Sequence, residues 1–86
     1  MRAAKAEDVA ARLRAAGFKA KTAAWCGFCK KLKKDFEDAG LNFDEFNLEC
    51  DKGGPGCEGV TGFPTLMIKG SAVPGYKPLD AILALL

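Results

Sequence analysis

The sequence predicts one α/β domain over residues 1–86, a mixed four-stranded sheet flanked by helices. Three observations carry that reading. Cys26 and Cys29 stand two residues apart between a strand-compatible stretch in 17–24 and a helical apolar pattern over 27–39. Further on, Gly62-Phe63-Pro64-Thr65-Leu66 opens an apolar run that reads as a buried strand, with proline at the position where a missing N–H is tolerated. The elements then fall in the order α-β-α-β-loop-β-β-α, with no repeat and no linker.

Taken in order, residues 3–16 place Ala6, Val9, Leu13 and Ala16 on one helical face, with Asp8 and Arg12 spaced for an ion pair and Gly17 as C-cap. Phe18–Ala24 is the first strand, central in the sheet. The helix from Gly27 to about Ala39 turns Cys29, Leu32, Phe36 and Ala39 inward, which leaves Cys26 exposed. Lys30, Lys31, Lys33 and Lys34 cover its remaining surface as a solvated face, which is compatible with a cationic field near Cys26 that favours the thiolate.

Gly40 ends that helix. Residues 41–48 alternate imperfectly, with apolar residues at 41, 43, 46 and 48, and read as a strand with one irregularity. It pairs parallel to the first strand through a right-handed crossover. Residues 49–61 hold four glycines and a proline within 53–59, so they form a loop with at most one helical turn, starting at Pro55. Thr65–Lys69 is the next strand, Gly70-Ser71 a hairpin turn, and Ala72–Val73 a short antiparallel strand. Pro78 opens a last helix whose Leu79, Ile82, Leu83 and Leu86 share a stripe.

Composition bounds the function. The chain is 49% hydrophobic and 28% charged, an ordinary globular balance. A net charge of +2 is too small to argue for nucleic acid. No stretch approaches the roughly 20 apolar residues of a membrane span, and Met1–Gly17 has no apolar signal core. A soluble, monomeric domain is the expectation, cytoplasmic by default. Without histidine there is neither a Cys–His catalytic pair nor a histidine metal ligand.

The cysteines carry the chemistry. At a strand-to-helix turn, Cys26 meets the unpaired N–H groups and dipole of a helix N-terminus, which favour the nucleophilic thiolate. A C-x-x-C near a βαβ pattern points to a redox dithiol. Cys26 is then the attacking cysteine and Cys29 the resolving one, exchanging disulfides through a mixed disulfide at Cys26. Trp25 shields the pair at the rim. Phe28, between the cysteines, is expected to be exposed and apolar, suited to peptide-like partners. Cys50 and Cys57 bracket the glycines, and a disulfide between them would brace the loop by about 2–3 kcal/mol. The other reading of those two is a second redox pair that exchanges with Cys26 and Cys29, or a regulatory switch on the loop.

On the W-C-x-x-C at Trp25–Cys29 and the G-F-P-T at Gly62–Thr65, the sequence resembles the thioredoxin-like superfamily. The resemblance implies a minimal thioredoxin-like fold with an extra N-terminal helix and a Gly-rich loop in place of a helix. It implies a cis proline at Pro64 that packs beside the dithiol, and a substrate surface of Trp25, Gly27, Phe28, Phe63, Pro64 and Thr65. Within that superfamily, Ala-x-Trp-Cys-x-x-Cys-Lys followed by Glu49-Cys50-Asp51 and Cys57 is similar to the thioredoxin-like domain of vitamin K epoxide reductase homologues. In that subgroup Cys50 and Cys57 match an additional cysteine pair. Thioredoxins proper carry a buried aspartate where this chain has Ala20, so no proton acceptor for Cys29 is evident.

The expected activity is therefore a thiol-disulfide oxidoreductase acting in electron transport between protein dithiols or disulfides and a redox donor or acceptor protein. The rival is a glutaredoxin-like reductase, for which Cys26-Gly27-Phe28 speaks and the Pro74-Gly75-Tyr76 turn does not. No cofactor is expected on the main reading, and glutathione would serve the rival. Other classes are a structural zinc module on the four cysteines, an iron–sulfur cluster bridging two chains through Cys26, and a redox-inert interaction module. No metal ligand set is assigned.

Overall fold

The computed structural model describes residues 2–86, with side chains from Lys5 onward. Its elements are α1 (Arg2–Ala15), β1 (Lys19–Thr22), α2 (Gly27–Asp38), a 3-10 turn at Phe43–Glu45, β2 (Asn47–Glu49), β3 (Thr65–Ile68), β4 (Ser71–Pro74) and α3 (Leu79–Ala84). The sheet runs β2-β1-β3-β4. β1 pairs parallel with β2 and antiparallel with β3, and β3–β4 is a hairpin. This is the mixed four-stranded α/β sheet of a minimal thioredoxin-like fold.

Both long helices end by the same device. Gly17 donates to the Arg14 carbonyl and Phe18 to Leu13, while Gly40 donates to Glu37 and Leu41 to Phe36. The glycines sit at φ 66° and 82°, left-handed conformations that a Cβ disfavours. Each motif delivers a buried side chain, Phe18 or Leu41, just beyond its helix. The β3–β4 turn also runs through two left-handed residues, Lys69 (φ 52°) and Gly70 (φ 81°), which matches the twist of a two-residue hairpin.

The sheet's two faces are covered differently. Ala20 of β1 lies opposite Leu66 of β3, and with Ile68 they join one core with Leu13, Leu32, Phe36 and Ile82 from the three helices. Phe36 is its hub, with ring centroids 5.8 Å from Phe18, 5.2 Å from Phe43 and 6.0 Å from Phe46. The period of two points Lys19, Lys21 and Leu48 the other way. There the Gly-rich loop folds against Leu48, close enough that a Cβ on Gly56 would come within 3.0 Å of it.

Four local expectations need correction. The Asp8–Arg12 pair does not form, because Arg12 reaches across to the Leu83 carbonyl on α3; α1 is tied instead by Arg14 to Glu45. Of the expected 41–48 strand only Asn47 and Leu48 join the sheet, in a strand that runs on to Glu49. Asn42 caps a 3-10 turn by accepting the Asp44 amide, and that turn rather than a bulge drives Phe43 and Phe46 into the core. No helical turn begins at Pro55, since Gly53, Gly54, Gly56 and Gly59 all take positive φ and break any run. Finally, Cys26 is buried, for reasons that belong to the site.

Candidate functional site

β1 ends at Thr22, and Ala23–Trp25 carry the chain to the head of α2. Cys26 is the N-cap, with extended backbone at φ −78° and ψ 119°, and its Sγ accepts the Cys29 amide at 3.2 Å. A sulfur capping its own helix is drawn in over the first turn. Phe63 closes it from the opposite side, where the Cys26 thiol lies 3.5 Å from the Phe63 carbonyl oxygen. Cys26 is thus only 6% exposed, against the expectation of an open position. Cys29, at 5%, is inward as its helical register requires. Both are free thiols, packed with Ala23 and Phe63 in a small cluster of their own.

Burial chiefly, and then a hydrogen bond to the Cys26 side chain, push the Cys29 thiol up to about 12. Cys29 therefore holds its proton at neutral pH.

Around this pair the structure sorts the other sequence-predicted residues. Trp25 (65% exposed) and Phe28 (61%) stand out at the surface. Trp25 packs edge-on against Phe63 at 5.7 Å and donates its indole N–H to Asp51. Phe28 stacks on Tyr76 at 5.8 Å. Tyr76 is itself fixed, its hydroxyl donating to Asp35 and its ring lying 5.4 Å from the Lys31 ammonium. Pro64 is fully buried, the Phe63–Pro64 peptide is cis, and the Pro64 carbonyl accepts the Gly75 amide at 2.9 Å. Thr65 is buried and donates its hydroxyl to the Gly62 carbonyl. Gly27 opens α2 with nothing within 4 Å of where a Cβ would sit, so no contact there demands glycine.

The lysines of α2 divide. Lys31 and Lys34 are paired along the helix with Asp35 and Asp38. Lys30 and Lys33 instead line an open cleft of about 300 Å³ beside Cys29, together with Thr22, Asn47, Asp44 and Glu49.

Cys50 and Cys57 are joined in a disulfide, their Cα atoms 5.5 Å apart. It pins the loop at the C-terminal end of β2, where the Cys50 amide also bonds the Thr22 carbonyl at 2.8 Å. Asp51, beside Cys50, is the residue that holds Trp25. Asp51, Tyr76 and Glu49 entered the sequence reading only as parts of the Glu49-Cys50-Asp51 and Pro74-Gly75-Tyr76 motifs, with no role at the site assigned to them. One signal was available for two of them. Glu49 and Asp51 flank the carboxyl end of a strand parallel to β1, where open α/β sheets gather their functional groups.

No family model matches the chain. Two rice proteins (Oryza sativa subsp. japonica), Protein disulfide isomerase-like 2-1 and Protein disulfide isomerase-like 2-2, are each 37% identical to it over 74 aligned residues. Those alignments cover 70% of this chain and 20% of each relative, so the chain spans about one fifth of the length of the curated relatives it matches. Similarity to disulfide isomerase-like proteins, and a β2-β1-β3-β4 sheet with its paired cysteines at the head of α2, place the chain in the thioredoxin-like superfamily.

Proposed function

We propose that the chain is a thiol-disulfide oxidoreductase that exchanges disulfides with protein substrates through Cys26 and Cys29. The observation that carries this reading is the asymmetry of the pair. Cys26 Sγ caps α2 and accepts an amide N–H, a contact that a sulfur anion uses better than a thiol does. Cys29 sits one turn on, buried and protonated. Cys26 attacks one sulfur of a substrate disulfide, forming a mixed disulfide and expelling the other sulfur. Cys29 then attacks Cys26 Sγ, closing the internal disulfide and releasing the reduced substrate.

The exposed rings of Trp25 and Phe28 flank the dithiol and offer an apolar rim for an extended peptide, with Phe63 between Trp25 and the thiols. The Cys50–Cys57 disulfide favours this chemistry over a four-cysteine zinc module, because oxidised sulfurs do not ligate zinc. Its sulfur-bearing residues are 4% and 9% exposed, which suits a brace.

Replacing the resolving cysteine tests the assignment. Cys29→Ser is expected to accumulate a mixed disulfide at Cys26 with a model peptide disulfide, identified by mass. Cys26→Ser is expected to form none. Equal trapping at residue 29 in Cys26→Ser would reverse the roles, and no trapping in either variant would remove the activity.

A further inference from the structure

Cys29 must lose its proton before it can resolve a mixed disulfide, and the strand that leads into its helix offers no help. β1 presents only Ala20 and Thr22 toward the core face, and the Thr22 hydroxyl is spent on Asn47. The cleft beside Cys29 supplies what β1 lacks. It is about 300 Å³ in volume, large enough for several waters, and it connects Cys29 to Glu49 at the end of β2. Resting on the reading of Cys29 as the resolving thiol, we propose that Glu49 is the proton acceptor for Cys29, acting through solvent in this cleft.

Glu49 points to the right side. It lies opposite Thr22 in the β1–β2 register, two residues from Asn47, so all three side chains leave the sheet on the face that carries α2. Its carboxylate is near enough for its charge to bear on Cys29, raising the cost of a thiolate there. The other groups lining the cleft are poorer acceptors. Lys30 and Lys33 are ammonium donors, and the Asn47 amide oxygen is already taken by Thr22. Asp44 also lines it, but from the 3-10 turn outside the sheet, whereas Glu49 stands in register beside Thr22 at the end of β2.

Glu49 is also held in place. Its Oε2 accepts the Asp51 amide at 3.3 Å, and the next residue, Cys50, is anchored by its disulfide and by its bond to Thr22. The brace therefore anchors the segment that carries Glu49 beside the cleft.

The step balances without a further reagent. With Cys26 joined to the substrate sulfur, the Cys29 S–H passes its proton through water to the Glu49 carboxylate. The Cys29 sulfur attacks Cys26 Sγ, the Cys26–substrate S–S bond breaks, and the substrate sulfur leaves with the bonding pair. The leaving thiolate takes up a proton that Glu49 returns to solvent. The two cysteines lose two electrons, and the substrate disulfide gains them.

Stopped-flow single turnovers with a peptide disulfide, acid-quenched to separate mixed disulfide from oxidised protein, test the proposal. Glu49→Gln is expected to slow resolution at pH 7 by about 100-fold, the low end for a general base. Its rate is expected to climb about tenfold per pH unit between pH 6 and 9, where unassisted ionisation of Cys29 governs it, while the wild type stays flatter. Glu49→Asp recovers part of the rate, and Asp44→Asn resolves as the wild type does. If Glu49→Gln resolves at the wild-type rate or faster, the carboxylate only repels the thiolate and the proposal fails. An equal loss in Asp44→Asn also overturns it. Trapping in Cys29→Ser does not involve Glu49, so a failure here is separate from a failure of the oxidoreductase reading.

Discussion

Cys29 shows how one buried sulfur sets a pH dependence for the whole domain. In the unfolded chain its thiol ionises near about 8.5. In the reduced fold burial, reinforced by the contact with Cys26, carries it to about 12. Below about pH 8.5 both states keep the proton, and this group gives no slope. Between those two values the unfolded chain releases a proton that the folded chain retains, so stability is lost as pH rises. Urea unfolding of the reduced protein should therefore show the wild type losing more stability between about pH 8.5 and 11 than Cys29→Ser does. Parallel curves for the two would mean that the thiol is not held protonated by the fold.

At the level of an element, the loop between β2 and β3 covers part of the sheet without forming a helix. Its glycines forbid a helix, yet it folds against Leu48 on the sheet face away from the three helices, and the Cys50–Cys57 bond closes it. Removing that bond in Cys50→Ser/Cys57→Ser should lower stability by about 2–3 kcal/mol on the chain-entropy scale. For a domain of this size that is roughly 10–20 °C in Tm by calorimetry. Retained trapping at Cys26 in the same variant would identify the pair as a brace. Loss of trapping without a Tm change would make it a working redox couple.

Element by element, the sequence was most legible where local signals agree. Gly17 and Gly40 terminate their helices as their positions demand, and the C-x-x-C falls on the strand-to-helix turn. It was least legible where contacts join distant residues. The helical stripe correctly turned Cys29 inward, but it knew nothing of Phe63, which arrives from 37 residues away to cover Cys26. Alternation in 41–48 mimicked a strand because Phe43 and Phe46, spaced by one 3-10 turn, also share an apolar side. Tyr76 read as part of a break after β4, and only the fold brings it under Phe28.

At the scale of the whole molecule, the domain is two layers, helices on one face of a small sheet and a pinned loop on the other. Among the described residues no helix is long and apolar enough to cross a membrane. The residues assigned to the proposed chemistry gather at one end of the sheet. Cys26 and Cys29 head α2, Glu49 ends β2 with Asp51 just beyond it, and Phe63–Pro64 lead into β3. The central claim is that this end is a working dithiol. An equilibrium titration against thiol–disulfide buffers, with mass spectrometry assigning every disulfide, tests it most directly. The account predicts a single two-electron couple that joins Cys26 to Cys29, while Cys50–Cys57 stays oxidised throughout, as structural disulfides below about −300 mV do. A midpoint near about −270 mV would make the domain a reductant, and one near roughly −120 to −200 mV an oxidant or isomerase. If no Cys26–Cys29 disulfide forms at any potential, the account is wrong.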